Sequence, residues 1–450
     1  MRAAYSSFGR ATPSAANALP ADEAIALLRG GGAGEASLLA YGNGRSYGDS
    51  CLNGDGALVD MRSLDRIISF DAEAGMIEAE AGVLLSDIIA YAAPHGFFPA
   101  VVPGTQFVTL GGAIANDIHG KNHHRRGTFG CHVEGFTLLR SDGREYRCSA
   151  SRNPHLFAAT IGGMGLTGLI LSASIRLMRV PSLDITETVR PFREIGEFFD
   201  LAMAADEANE YAVAWIDQLS GGQQFGRGLM LAGNHAEHGS HIACRPGGRL
   251  AVPFQPPLNV LNRPFLTAFN AAYRWKNGRN TQPRHASYQG FFFPLDGVRD
   301  WNRLYGPRGL FQHQSVVPEN VAREAVPALL RAAKRAGQGS FLTVLKRFGS
   351  IASPALLSFP RPGYTLTLDF PNRGEATLKL LEELDRITVD AGGAVNPYKD
   401  ARMGPETFAA SFPAWQRLEA VRDPAFMSSF WVRTAKRLAG SSSGLVEAAE

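Results

Sequence analysis

The stretch Pro103-Gly-Thr-Gln-Phe-Val-Thr-Leu-Gly-Gly-Ala-Ile-Ala-Asn-Asp-Ile-His-Gly-Lys-Asn-His-His124 packs glycines, small residues and three histidines into one short run. Gly111 and Gly112 have no side chain to cover their N–H groups, so a phosphate can approach the backbone there. Ala113, Ile114 and Ala115 are small or apolar and suit a flat ring lying over the chain. His119, Lys121, His123 and His124 then bring donors and positive charge. In that order the stretch predicts a cofactor with both phosphates and an aromatic ring system.

Two further glycine clusters flank it. Tyr41-Gly-Asn-Gly-Arg-Ser-Tyr-Gly-Asp-Ser-Cys-Leu-Asn53 follows a strand-like apolar run, Ser37-Leu-Leu-Ala-Tyr41. Gly42, Gly44 and Gly48 permit a tight loop with inward N–H groups, a nest for a pyrophosphate, with Arg45 and Ser46 as added donors; a surface turn is the plain alternative. Downstream, Gly163-Met-Gly-Leu-Thr-Gly168 matches GxGxxG. The dinucleotide fingerprint needs a strand before it and a helix after it. Here a helix-like stretch (153–161) precedes and a strand-like one (169–177) follows, so a nicotinamide Rossmann domain is rejected and a glycine-rich strand against a ligand remains. His119 and His123 stand four apart, but Gly120 and Asn122 disfavour a helix and no HExxH pattern completes a zinc site, so no metal is expected. With no GxSxG elbow and no Walker A motif, nucleophilic hydrolysis and phosphoryl transfer lack support.

The 450 residues suffice for two or three domains, and 45% hydrophobic residues allow a large core. Lys and Arg (45) nearly balance Asp and Glu (42), too even a composition to argue for nucleic acid. Cys51, Cys131, Cys148 and Cys244 form no CxxC or framework pattern, which points to free thiols in a reducing compartment. No apolar run approaches the ~18 residues of a membrane span. The first eight residues lack the apolar core of a signal peptide. The expected location is cytoplasmic, or peripheral at the inner membrane.

Periodicity predicts an α+β unit over about 20–180, with a helix at 23–29, strands at 56–61, 66–70 and 76–81, a helix at 84–93 ending near Gly96, and strands at 136–140 and 169–177. A second region starts near Pro181. Within it, 245–285 reads as irregular because Pro and Gly recur, either an ordinary surface loop or a partly apolar, cationic mouth for an amphiphilic anion. Strands are predicted at 311–317 and 341–348 with a helix at about 320–335 between them. Tyr364, Leu366, Leu368 and Phe370 alternate with Thr365, Thr367 and Asp369. A helix over 375–390 stops at Gly392-Gly393, ahead of Lys399, and the whole makes a one-sided sheet whose second face lines a site.

Taken in order, Gly44-Arg-Ser-Tyr-Gly-Asp49, Pro103-Gly-Thr105, Gly111-Gly-Ala-Ile-Ala115, Asp117-Ile-His-Gly-Lys-Asn-His-His124, Gly165-Leu-Thr-Gly168 and Lys399-Asp400 resemble the FAD-binding oxidoreductases of the vanillyl-alcohol oxidase fold. The likeness extends to Phe8-Gly-Arg-Ala-Thr-Pro-Ser14, Trp301-Asn-Arg303, Tyr305-Gly-Pro307, Asp423-Pro424 and Ala435-Lys-Arg-Leu438. Within the family it is greatest to the flavoproteins that oxidise the 2′-hydroxyl of a polyprenylphosphoryl-β-D-ribose, one half of an epimerase supplying cell-wall arabinose.

The resemblance implies an α+β, two-domain protein: a PCMH-type FAD-binding domain (1–182, completed by 394–450) and a substrate domain (183–393) with an antiparallel sheet. It implies non-covalent FAD held by Gly42, Asn43, Gly44, Arg45, Ser46 and Tyr47, by Gly104, Thr105, Val108, Gly111, Gly112, Ala115, Asn116, His119, Gly120 and Asn122, and by Gly165, Gly168 and Ile170. Tyr47, Lys121, Gln312, Gln314, Lys346, Thr365, Thr367 and Lys399 would meet the substrate, with Lys399 and His119 as the catalytic pair. The expected partners are a lipid-linked sugar phosphate, a separate NAD(P)H-dependent keto-sugar reductase and, peripherally, a membrane, but no nucleic acid. The alternative activity is oxidation of a free sugar, alditol or aldonolactone. Thr367 stands where mycobacterial members carry a reactive pocket cysteine, and Phe292 and Phe293 replace polar or ring-hydroxyl residues. Both departures bear on substrate rather than on flavin chemistry.

Overall fold

The computed structural model describes residues 5–440 except 14, 16, 33–36, 244–247 and 249. Cys244, one of the four cysteines, therefore lies outside the described residues.

The chain opens on a three-stranded parallel sheet (Ala18–Pro20, Leu38–Tyr41, Ala57–Asp60) with the helix Ala21–Arg29 against it. A six-stranded antiparallel sheet follows, built on the long strand Leu169–Arg179, which pairs with Met76–Glu80, Val133–Leu139 and Phe97–Pro99. Alternation drives its burial: Ile77, Ala79, Ile175 and Leu177 turn inward against Leu85 and Ile88 of the helix Leu85–Ala92, and against Leu110 and Ile114 of the helix Leu110–Ala115. Gly96, at φ +78°, ends the turn after the first of these helices.

The third layer is an eight-stranded antiparallel sheet in the order Arg284–Ala286, Ile185–Phe192, Gly228–His235, Tyr211–Ile216, Val344–Phe348, Gly363–Pro371, Leu310–Val317, Ala394–Val395. Three helices, Ile195–Ala208, Ala322–Arg335 and Glu375–Asp390, cover one face. Phe198, Phe199, Val326, Leu329, Leu381 and Leu384 meet Leu366, Leu368 and Phe370 there. The period of two sends Thr365, Thr367 and Asp369 to the other face, where they register with Val316, Gln314 and Gln312. After this sheet the chain returns to the first one: Leu38 donates to the Ala425 carbonyl and accepts from Met427 through its own. Phe408, Trp415, Phe430 and Trp431 pack with Leu166, Leu357 and Phe359.

The mixed helix and sheet content agrees with the predicted α+β class. The GxGxxG segment lies between the helix Pro154–Thr160 and the strand Leu169–Arg179, the reverse of the Rossmann order. One expectation needs correction. The irregular reading of 245–285 misses a 16-residue helix, Arg263–Gly278, and the short strand Arg284–Ala286. Asn262 caps that helix by accepting from the Phe265 N–H, and Pro264 falls in the first turn, where its missing N–H breaks no helical bond. Pro264, which looks like a breaker in sequence, is here a starter.

Candidate active site

Between the glycine loops and the open face of the eight-stranded sheet lies a cavity of about 800 Å³. The first loop, 42–48, leaves the strand Leu38–Tyr41 and turns at Gly44, where φ is +58° and a Cβ would stand 2.2 Å from the Tyr41 hydroxyl. Asn43 donates to the Phe107 carbonyl at 2.8 Å and so ties this loop to the second. The Arg45 guanidinium sits over the rings of Phe8 and Phe107, and its buried Nε has no partner. A desolvated, unpaired donor at the cavity wall is a demand for an anion. On the second loop, a Cβ at Gly104 would meet nothing within 4 Å, so the backbone there faces open space.

All but two of the cofactor-binding residues expected from sequence line this cavity; Gly120 and Asn122 do not. Asn122 is buried and donates to the Ala100 carbonyl and to Glu210, a scaffolding role that the local sequence does not reveal. Asp117, at φ +41°, accepts from Ser353, Ser358 and the Gly130 N–H, and so fixes the turn that delivers His119. The three histidines diverge. His119 lines the cavity, His123 accepts from the Gly349 N–H, and His124 faces Asp206 at 3.4 Å.

On the sheet side Gln312, Gln314, Lys346 and Thr367 line the cavity, together with Tyr47 and Lys399. Gln314 organises this wall. Its oxygen accepts from Asn396 and its amide nitrogen donates to Thr365 and to His119 Nε2, at 2.9, 3.1 and 3.1 Å. His119 Nδ1 must then carry the ring proton and donate to Lys346 Nζ, 2.9 Å away, which calls for a neutral lysine. Burial supplies it: desolvation, helped by the charges of Lys121 and Lys399, brings Lys346 down to about 7. Desolvation also brings Lys399 to about 8, opposed by the charge of Asp369, and holds His119 well below the usual imidazole range. Lys399 Nζ lies 4.4 Å from the Tyr47 ring centre.

Three sequence expectations fall outside the lining. Thr365 is spent on Gln314. Lys121 points away: its Nζ donates to the Phe291 carbonyl and lies over the Phe291 ring. Phe292 and Phe293, read as candidate substrate determinants, are fully buried in an aromatic cluster with Phe98 and Tyr211. Their departure from the family pattern is a matter of packing, because the short helix Tyr288–Phe292 turns them inward.

Two features were missed. Asp369 lies directly behind Gln312, fully buried; its Oδ1 accepts from Gln312 at 2.5 Å and its Oδ2 has no partner. Desolvation pushes this carboxyl up to about 7 against the pull of Gln312 and Lys399. Its place on the polar face of 364–370 was the available signal. The second is an ionic clamp. Asp400 accepts from the Arg402 and Met403 N–H groups and from Arg433, which also holds Asp49 in two bonds of 3.0 and 2.7 Å. Gly48 lies so close that a Cβ would fall 1.6 Å from the Asp400 carbonyl. The clamp fixes Lys399 against the first glycine loop across 384 residues of sequence, so no local pattern announces it.

The residues present fit FAD: an unpaired cationic donor, bare backbone at Gly104, and small or apolar side chains (Ala115, Met164, Ile170) along a cavity that ends at polar groups on the sheet. The comparisons agree. The FAD binding domain family matches residues 20–149. Over 434 residues the chain is 34% identical to decaprenylphosphoryl-β-D-ribose oxidase of Mycolicibacterium smegmatis, covering 93% of this chain and 94% of the relative. It is 33% identical to an uncharacterized Streptomyces coelicolor protein, covering 77% and 96%. L-gulonolactone oxidase of Mus musculus is 30% identical over 150 residues, a third of each chain.

Proposed function

The chain belongs to the family of FAD-dependent oxidoreductases, acting on CH–OH groups, that includes decaprenylphosphoryl-β-D-ribose oxidase, and from that premise we propose that it oxidises the 2′-hydroxyl of a polyprenylphosphoryl-β-D-ribose to the 2′-keto sugar. The observation that carries this reading is the juxtaposition at the sheet wall: Lys346, Lys399, Gln312 and Gln314 converge beside His119 at the end of the glycine-lined cavity. The lysine amines and the glutamine amides there donate hydrogen bonds that suit sugar hydroxyls and the oxygens of a single phosphodiester. We assign residues 1–182 with 394–450 to FAD and 183–393 to the substrate.

Arg45 and the backbone around Gly42–Ser46 and Gly104–Gly112 would hold the pyrophosphate, and His119, Ala115 and Ile170 would flank the ring. FAD, when bound, supplies the acceptor for the hydride leaving C2′. Lys399 does the complementary work: held near neutrality by burial, it accepts the hydroxyl proton and becomes an ammonium over the Tyr47 ring as the carbonyl forms. Gln314 and Lys346 occupy both ring nitrogens of His119, which favours FAD held without a covalent bond; acid precipitation then leaves all flavin in the supernatant. A separate NAD(P)H-dependent reductase would consume the keto sugar.

Anaerobic bleaching of the holoenzyme tests the assignment. Polyprenylphosphoryl ribose is expected to bleach the flavin, with free ribose, alditols and aldonolactones failing at matched concentration. Bleaching by the free compounds alone would transfer the protein to the second activity.

A further inference from the structure

Six of the twelve exposed large apolar side chains among the described residues fall between 242 and 275. Leu250, Phe254, Leu258, Phe265 and Trp275 are between 44% and 70% exposed. The helix Arg263–Gly278 buries Leu266 and Asn270, which leaves Phe265, Ala268, Ala272 and Trp275, spaced three and four apart, as one stripe on its solvent side. An ordinary surface helix is polar on that side. Here Lys276 and Arg279 border the stripe, the Arg279 guanidinium 4.5 Å from the Trp275 ring centre.

The charge is as one-sided as the exposure. From His238 to Leu295 the sequence holds seven Arg or Lys and no Asp or Glu, in a chain whose totals nearly balance. Arg263, Lys276, Arg279, Arg299 and Arg308 are exposed. The nearby acids are engaged: Asp300 pairs with Arg303, and Asp296 accepts from the Gln106 N–H.

The surface also has an address. Leu250–Ala251 pairs in parallel with Val298–Arg299, Arg303 donates to the Val252 carbonyl, and the Val260 N–H donates to Leu304. Leu266 packs with Trp301, Tyr305 and Tyr47. Val298, Arg299, Asp300, Trp301 and Asn302 line the cavity itself. The apolar, cationic surface is thus the outer side of the wall that closes the site.

We propose that residues 250–279 dock the protein on the head-group surface of a bilayer containing anionic phospholipid, with Phe254, Leu258, Phe265 and Trp275 entering the interface and Arg263, Lys276 and Arg279 facing lipid phosphates. Docked in this way, the cavity wall meets the bilayer, and a lipid-linked substrate reaches the site without withdrawing its chain into water. A soluble protein partner would need matching acids and a complementary shape; a fluid anionic surface needs only charge and an apolar interior, which is what this face offers.

Co-sedimentation of the holoenzyme with vesicles tests it. Vesicles of phosphatidylcholine mixed with phosphatidylglycerol are expected to bind the protein, and phosphatidylcholine alone to bind it at least about tenfold more weakly, the difference closing in high salt. Phe254→Ser with Leu258→Ser and Trp275→Ser should abolish binding in either salt, while Lys276→Glu with Arg279→Glu should abolish only the anionic preference. Tryptophan emission should shift to the blue on adding anionic vesicles, and Trp275→Phe should remove the shift. No binding to anionic vesicles, binding unchanged in both variants, or a concentration-dependent dimer that the triple substitution dissolves would each overturn the proposal. Vesicle binding is read without turnover, so its outcome stands apart from that of the bleaching assay.

Discussion

The two walls of the cavity are made of different material. On the loop side the structure is backbone: Gly42, Gly44, Gly48 and Gly104 sit where a side chain would collide with a neighbour or project into open space. On the sheet side it is side chain: Gln312, Gln314, Lys346, Thr367 and Lys399 stand on an antiparallel sheet and take their charge states from burial. A wall of backbone binds whatever carries phosphates and tolerates little change. A wall of side chains is the one that can tell substrates apart, since its groups differ in length, charge and hydrogen-bonding.

The largest expected effect lies on the sheet side. Lys399→Ala should slow anaerobic flavin reduction by roughly 10²–10⁴ while FAD stays bound; unchanged stopped-flow kinetics would remove Lys399 from the mechanism. Next, two glycines of the loop wall should part company. Gly48→Ala drives a methyl into the Asp400 carbonyl and should destabilise by about 3 kcal/mol or more, seen as a lower melting temperature with and without FAD. Gly104→Ala has space, so the apo melting temperature should stay the same while FAD binds roughly tenfold more weakly, a loss of about 1.4 kcal/mol through reduced backbone access. Equal behaviour of the two would dissolve the distinction between collision and access.

Smaller effects follow from pH. Lys121, Lys346 and Lys399 ionise at about 8, 7 and 8 in the fold against 10.5 when free. Between about 10 and 7 the unfolded chain therefore holds more protons than the folded one, and stability falls as pH is lowered through that window. Asp369 works in the other direction: its folded value of about 7 lies above the free 3.8, so its contribution grows as pH falls from 7 toward 4. Together these four groups place a minimum in apo stability near pH 7. Lys346→Met should flatten the alkaline limb of the melting curve against pH, and Asp369→Asn the acid limb. The rate of flavin reduction should rise through about pH 8 as Lys399 loses its proton. Asp369→Asn, which removes the carboxylate that supports the Lys399 charge, should move that rise to lower pH by a fraction of a unit; an unmoved profile would leave Asp369 a packing residue.

The readability of the two walls differs in the same way. Loop-side contacts come from glycines close together in sequence, and nearly all of the expected FAD contacts line the cavity; Gly120 and Asn122 are the exceptions because their backbone and amide face the protein interior. Sheet-side expectations were right about facing for Gln312, Gln314 and Thr367, which alternation dictates, and missed direction for Lys121, a long side chain whose end is decided by the Phe291 carbonyl. Among the described residues no helix is long and apolar enough to cross a membrane, yet the helix Arg263–Gly278, hidden in sequence by Pro264 and the prolines ahead of it, presents an apolar stripe outward.

By itself the sequence pointed to a phosphate-bearing cofactor, because a phosphate site made of bare backbone needs glycine at local spacings and local spacing is what a sequence records, and the family resemblance carried by those segments pointed to FAD. Tertiary structure alone decided the charges of Lys346, Lys399 and Asp369, the clamp from Asp49 through Arg433 to Asp400, and the outward turn of Trp275. Each depends on how much water the fold removes and on which distant segment arrives beside it, and neither quantity is written at any single position of the chain.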